Sequence, residues 1–177
     1  MPVFLRLFVA LAVPPEAAQA ARAAAGGKPS SAAAHLTLKF LGRTERSLAP
    51  AVAQALSRVQ SPPLDLTVQG LGCFKKPGGV VVWAGLAPSP PLTALRAAVE
   101  AALSPLSPGR PFERRPFEPH VTLARLKGEA GTRAAEKLKS LTALPLGSFR
   151  VDHFGLYASE LTPDGAVHRL IDSWKLG

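Results

Sequence analysis

The octapeptide HLTLKFLG occupies residues 35–42, and the similar octapeptide HVTLARLK occupies residues 120–127. Both copies share the pattern His-x-Thr-Leu, and their histidines lie 85 residues apart in a chain of 177. Each copy follows a loop and precedes a candidate helix. The repetition predicts two related halves, each of which contributes one His-x-Thr strand.

Side chains on a β-strand alternate between its two faces. His35 and Thr37 therefore share one face, as do His120 and Thr122, while the apolar residues between and after them point into a core. If the two halves pack around a pseudo-twofold axis, the two His-Thr pairs face each other across a cleft. Two imidazoles and two hydroxyls can then surround one small anion.

Histidine and threonine suit the hydrolysis of a cyclic phosphodiester. An imidazole titrates near neutral pH, so one histidine can take a proton from water while the other gives a proton to the departing oxygen. Threonine hydroxyls can donate hydrogen bonds to the phosphate oxygens. This chemistry requires no metal, and a zinc site would lack a third ligand near either motif. His153 and His168 lack the motif, and we predict a structural role for both.

A chain of 177 residues fits one compact domain, or two small lobes that share a core. Apolar runs and alternation predict strands over 3–12, 35–41, 64–68, 80–83, 120–125, 148–157 and 167–172. Helical spacing and proline or glycine boundaries predict helices over 15–26, 45–59, 92–103 and 132–141. Residues 70–79 are glycine-rich and 104–119 are rich in proline and arginine, and we predict that both segments are loops.

Composition limits the partners and the compartment. Hydrophobic residues make up 47% of the chain, which is enough for a sizeable core. The formal net charge of +9 favours polyanionic partners such as nucleic acid. The single cysteine, Cys73, excludes an internal disulfide and is compatible with the reducing cytoplasm in which we expect the protein. The apolar N-terminal run contains Arg6 and is too short to span a membrane, so we expect no membrane association.

Further segments extend the similarity beyond the two octapeptides. They are RLFVAL at 6–11, LGCF at 71–74, VWAG at 82–85, RPFEPHVTLAR at 115–125 and LYAS at 156–159. With them the chain resembles the 2H phosphoesterase superfamily, and within it the bacterial and archaeal RNA 2′,3′-cyclic phosphodiesterases, also called 2′-5′ RNA ligases. The resemblance implies a single bilobal α+β domain over residues 1–177, in which two pseudo-twofold-related antiparallel sheets form a central groove with helices outside.

The resemblance also implies an activity. The substrates would be RNA with 2′,3′-cyclic phosphate ends, or cyclic nucleotides, hydrolysed to 2′-phosphomonoesters without a cofactor. His35 would be the general acid that protonates the 3′ oxygen, and His120 would activate water, although the residues alone do not decide which histidine takes which role. Thr37 and Thr122 would hold the phosphate. Two small halves around one groove favour a monomer.

Two more positions match residues of the family's site. Arg125 corresponds to an arginine near the phosphate, but it is an odd number of residues from His120 and shares its face only if the strand ends or twists. Phe40 corresponds to an aromatic ring near the base, whereas its alternation with Leu36 and Leu38 favours core packing equally. Basic residues that could line the groove, or be solvated loop charges, are Lys75, Lys76, Arg110, Arg114 and Arg115. The chain departs from the family at Ser31–Ala34, where relatives have a longer segment with an aromatic residue and an asparagine.

Two alternatives remain at this stage. The first is 2′-5′ RNA ligation, which would use the same histidines as hydrolysis. The second is a non-catalytic module that binds RNA ends through the basic groove alone, and it predicts that His35→Ala leaves RNA affinity intact.

Overall fold

The computed structural model describes residues 3–27, 33–106, 116–162 and 165–177. These residues form eight strands and four α-helices. The strands are β1 (Phe4–Val13), β2 (Ala34–Glu45), β3 (Leu64–Lys76), β4 (Gly79–Leu86), β5 (His120–Lys127), β6 (Pro145–Val151), β7 (His153–Thr162) and β8 (Gly165–Lys175). The helices are α1 (Pro15–Ala24), α2 (Ala49–Leu56), α3 (Pro90–Leu103) and α4 (Gly128–Leu138).

The strands form one curled antiparallel sheet in the order β6-β3-β4-β5-β2-β1-β7-β8. We call β6, β3, β4 and β5 the middle half, and β2, β1, β7 and β8 the terminal half, since the latter contains the first and last strands of the chain. The halves meet where β2 pairs with β5 through Leu36 and Val121. The α+β class with antiparallel strands is confirmed, with one difference: the two predicted sheets are continuous through this pair.

The two halves repeat one order of elements. The series β1-α1-β2-α2 in the first part of the chain corresponds to β4-α3-β5-α4 in the second, and each histidine-bearing strand is the innermost strand of its half. Each of these strands also pairs antiparallel with the strand that precedes it along the chain. The fold therefore brings together at its centre two motifs that are distant in sequence.

Local sequence explains where the helices begin and which side they bury. Helix α3 starts at Pro90, and the Ser89 hydroxyl accepts a hydrogen bond from the Leu92 backbone N–H at 3.3 Å. Its buried residues recur at helical spacing, and they join the apolar side chains of the sheet in one core. Phe8, Ala10 and Tyr157 form a separate small cluster. One face of the sheet is thus sealed by the main core, while this small cluster belongs to the other face.

Two predicted elements differ from the observed ones. Residues 148–157 form parts of two strands rather than one, because β6 ends at Val151 and pairs with β3, whereas β7 begins at His153 and pairs with β1. The chain thus crosses between the halves at Asp152. The predicted loop at 70–79 is mostly strand, with its turn at Gly78 (φ +80°). The glycines that suggested a loop instead allow close packing: a Cβ on Gly72 would lie 2.6 Å from Cη2 of Trp83.

Within the described residues, no helix is both long and apolar enough to cross a membrane.

Candidate active site

The two His-x-Thr motifs lie side by side at the junction of the halves. Leu36 and Val121, the middle residues of the motifs, are paired across the junction and are 0% and 2% exposed. In an antiparallel ladder, residues that flank a pair on opposite sides face each other across the strands. His35 is therefore opposite Thr122, and Thr37 is opposite His120, all on the face away from the buried pair. Each histidine has the threonine of the other motif as its neighbour.

A β-bulge lies three residues after His35. The register between β2 and β1 shifts at Leu38, which has no partner of its own on β1. One extra residue reverses the alternation of the side chains that follow it. Phe40 therefore lies on the face of His35, and its side chain is 68% exposed. The core-packing interpretation of Phe40 is wrong for this reason.

The second motif contains a bulge at the same place. Three residues after His120, the register between β5 and β4 shifts at Leu123. Thr122 and Arg125 consequently pair with residues that are two apart on β4, and residues two apart on a strand share a face. Arg125 thus lies on the histidine face although its sequence separation from His120 is odd. The bulge is thus the strand distortion that Arg125 needs in order to share the face of His120.

A cavity of about 430 Å³ opens on this face, within the size range of small-molecule sites. It is lined by His35 and Thr37 from β2, by Thr122 and Arg125 from β5, and by Phe40. His120 is not among the residues that line it. The structure therefore places five of the six predicted site residues around one cavity and the sixth beside it, in the middle half.

The charge of this cavity is uniformly positive. Arg6, Arg22 and Arg125 line it, and no aspartate or glutamate does so among the residues that the structure describes. Because partly enclosed walls of one sign concentrate counter-ions, the cavity favours an anionic ligand. Ala33 and Ala34, from the segment that departs from the family, also line it, whereas Ser31 and Ala32 lie outside the described residues.

His35 is surrounded by rings. Its centroid lies 4.8 Å from that of Tyr157, 5.4 Å from His168 and 6.0 Å from Phe8, each in an edge-on arrangement. Burial among these groups, and secondarily the charge of His168, lower the pKa of His35 from 6.5 to about 4. At neutral pH, before an anion binds, His35 is therefore an uncharged imidazole.

His120 has a different environment. Its ring packs edge-on to Phe74 with centroids 5.0 Å apart, and it lies 6.4 Å from Trp83. Its Nδ1 is 2.8 Å from the backbone carbonyl oxygen of Glu118. A carbonyl only accepts hydrogen bonds, so Nδ1 carries the proton of the neutral ring and Nε2 presents a lone pair. This tautomer suits a group that takes a proton from water.

His168 is the residue that sequence reasoning missed. It lies on β8 opposite Ser159 and lines the cavity close to His35. The predicted structural role implied no such location, and that role stays a prediction. The predicted strand over 167–172 already contained it, but the pairing of that strand could not be known from the pattern. His153, by contrast, is exposed and pairs with Asp152 at 2.8 Å.

Of the other basic candidates, the structure describes only Lys75 and Lys76. Lys75 and Lys76 line a second cavity of about 720 Å³, next to α4. The three arginines proposed with them, Arg110, Arg114 and Arg115, lie outside the described residues. Across the part of the chain that the structure describes, no group of three or more histidine, cysteine, aspartate or glutamate side chains is arranged to hold a metal ion.

Known proteins resemble this chain over most of its length. A profile of the 2′-5′ RNA ligase superfamily matches residues 10–162, which include both motifs. An RNA 2′,3′-cyclic phosphodiesterase of Aeropyrum pernix is 32% identical over 140 residues, covering 77% of this chain and 78% of the relative. One from Thermus thermophilus is 33% identical over 149 residues, covering 80% and 71%. The crystal structure of E. coli LigT complexed with 3′-AMP matches with a TM-score of 0.75 and 28% identity, covering 98% of each chain.

Proposed function

The chain belongs to the 2′-5′ RNA ligase superfamily, and from this membership we propose that it hydrolyses RNA 2′,3′-cyclic phosphate ends to 2′-phosphomonoesters. The observation that carries the proposal is the pairing of the two His-x-Thr motifs at the junction of the halves, with each histidine opposite the threonine of the other. The relatives from Aeropyrum pernix and Thermus thermophilus bear the name of this activity.

In the proposed reaction, water attacks phosphorus and the bond from phosphorus to O3′ breaks. His120 accepts the proton of the attacking water through Nε2, since its Nδ1–H is held by the Glu118 carbonyl. His35 donates a proton to O3′, which leaves as a hydroxyl. The hydroxyls of Thr37 and Thr122 donate hydrogen bonds to the non-bridging oxygens, where negative charge accumulates.

The protonation of His35 depends on the substrate. Its low pKa in the empty site means that it enters the cycle without the proton that a general acid needs. A bound phosphodiester anion favours the imidazolium, because an opposite charge nearby raises the pKa of a histidine. We therefore propose that His35 takes its proton from solvent as the anionic substrate binds, and then passes it to O3′.

The cationic cavity supports an RNA end as the ligand. Arg125 lies on the histidine face, where its guanidinium can bind phosphate oxygens, and Arg6 and Arg22 add positive charge. The exposed ring of Phe40 offers a surface on which a base can stack. Ligation of 2′-5′ ends would use the same groups in reverse, and we expect hydrolysis to dominate because water is far more concentrated than RNA ends.

The test is turnover of 2′,3′-cyclic CMP and of an RNA oligonucleotide with a cyclic phosphate end, both in the presence of EDTA. We expect a 2′-phosphate product, and we expect His35→Ala and His120→Ala each to lose at least about a hundredfold in kcat. His153→Ala, which removes an exposed histidine outside the cavity, is the matched control. Inactivity of the wild-type protein on both substrates would refute the proposal and favour a non-catalytic RNA-binding module. Activity that requires added zinc would refute the two-histidine mechanism.

We further propose that the chain acts as a monomeric single domain in the cytoplasm. Both motifs come from one chain and meet within it, so the site does not need a second copy. Size-exclusion chromatography with light scattering tests the monomer, and an enzyme that is active only as a dimer would contradict it.

A further inference from the structure

A histidine outside the two motifs lines the same cavity as His35. His168 is two residues along β8 from Leu170, the partner of Tyr157, and its own partner on β7 is Ser159, so it belongs to the cavity face. Its ring centroid lies 5.4 Å from that of His35, with the two planes at 89°, and 5.0 Å from that of Phe8. Two imidazoles at this distance are in contact, and one faces the edge of the other.

In the described part of the chain, no carboxylate lines the cavity to compensate a positive charge on either ring. Among the described residues, the charged side chains that line the same cavity are Arg6 from β1, Arg22 from α1 and Arg125 from β5, and Tyr157 from β7 contacts His35. Three of these groups are cationic and the fourth is a neutral phenol. A second proton on the pair therefore adds positive charge to a cavity that already carries three positive charges.

We propose that His168 is a positioning residue for His35: the two imidazoles are in contact on the cavity face, so that a proton on one ring opposes a proton on the other. Through this contact, protonation of His35 is coupled to occupancy of the site. The kinetic consequence rests on the proposed function, whereas the coupling between the two imidazoles does not.

The direction of both pKa values agrees with the geometry. The pKa of His35 is lowered first by burial and second by His168, and the pKa of His168 is lowered first by burial and second by Arg125. Since the rings interact, their protons belong to the pair, and the second proton binds with greater difficulty than the first. An anion between His35 and Arg125 relieves this repulsion, so ligand binding and proton uptake occur together.

The coupling can be measured directly by NMR titration of the imidazole nitrogens, without any substrate. In His168→Gln we expect the pKa of His35 to rise above its wild-type value of about 4 but to stay below 6.5, because burial, the larger cause, remains. His168→Lys retains a positive charge and should leave the pKa of His35 at or below the wild-type value. His153→Gln is the matched control and should leave it unchanged.

The pH profile of kcat/KM for 2′,3′-cyclic CMP provides the second readout. In His168→Gln, the limb that His35 controls should move to higher pH: the alkaline limb if His35 is the acid, and the acid limb if it is the base. Either movement supports the coupling and assigns the role of His35. A purely structural residue would lower activity at all pH values without moving a limb.

The proposal is overturned if His168→Gln leaves the pKa of His35 unchanged, or if His168→Lys raises it as much as His168→Gln does. Circular dichroism and thermal unfolding establish that each variant is folded. If the NMR coupling is present but no cyclic phosphate is turned over by the wild-type protein, the function proposed above fails while the coupling stands.

Discussion

His35 should make the protein less stable in acid. Its pKa is about 4 in the folded state and 6.5 as an unperturbed side chain, so between these values the unfolded chain binds more protons than the folded one. Stability attributable to this group is present above pH 6.5 and is lost as the pH falls towards 4. At about 1.4 kcal/mol for each pKa unit, the upper limit is about 3.4 kcal/mol, and solvent screening of the partly exposed ring reduces our expectation to about 2 kcal/mol.

The variant that isolates this effect is His35→Gln, which cannot titrate in this range. Urea unfolding at pH 7.5 and at pH 4 gives the free energy of unfolding of each protein by linear extrapolation. The loss of ring packing lowers stability at both pH values and cancels in the comparison. We expect wild type to lose about 2 kcal/mol more than His35→Gln between the two pH values.

Parallel losses for wild type and His35→Gln would refute the reasoning, because His35 would then have the same pKa in the folded and unfolded states. A greater loss in His35→Gln than in wild type would reverse the sign and mean that the folded site favours the imidazolium even when it is empty. In either case, His35 would not need to take up a proton when the substrate binds.

Three further predictions concern packing and binding. Gly72→Ala forces the indole of Trp83 aside, and because that ring lies against His120 we expect kcat/KM to fall roughly ten- to a hundredfold. Leu36→Ala empties the buried junction between the halves and should lower the free energy of unfolding by about 2–5 kcal/mol. Sulfate, whose charge is constant from pH 5 to pH 8, should bind more tightly by calorimetry as the pH falls, because the site takes up a proton with the anion.

Each of these predictions has its own control. For Gly72→Ala the control is Gly131→Ala, which places a Cβ no closer than 3.2 Å to its neighbours. An equal loss of activity in Gly131→Ala would contradict the prediction, because the loss would then not depend on the contact between Trp83 and His120. For Leu36→Ala the control is Leu48→Ala, at a residue that is 39% exposed. An equal fall in the free energy of unfolding for both variants would contradict the importance of the buried junction. A sulfate affinity independent of pH would contradict coupled proton uptake.

Much of the fold could be predicted from local pattern, because the elements are strongly punctuated. Proline at the start of α1 and α3 and regular apolar spacing located the helices, and alternation located most strands. Two errors have a common cause. The break at Asp152 and the strand through Gly70 depend on which distant strand each segment meets, and a glycine that permits close packing has the same local signature as one that permits a turn.

In the site too, some residues could be predicted from their own segment, whereas others are placed by pairing with distant strands. The repeated motif was sufficient to predict that His35 and His120 would lie together, since the repetition itself encodes the symmetry of the halves. Strict alternation was a poor guide beyond the threonines, because a bulge has no distinct sequence pattern and changes the face of the residues that directly follow it. His168 reaches the cavity only through the pairing of β7 with β8, so no property of its own segment identified it.

The bulges at Leu38 and Leu123 divide each motif into a first part that is the same in both copies and a second part that differs. Before each bulge the residues are the same, histidine and threonine, and after it the exposed residue is Phe40 in one copy and Arg125 in the other. A ligand between them therefore meets an aromatic wall on one side and a charged wall on the other. A nearly symmetric frame of this kind can accept a substrate in one direction only. That directionality is what an enzyme needs to release O3′ and not O2′ from a phosphate bonded to both.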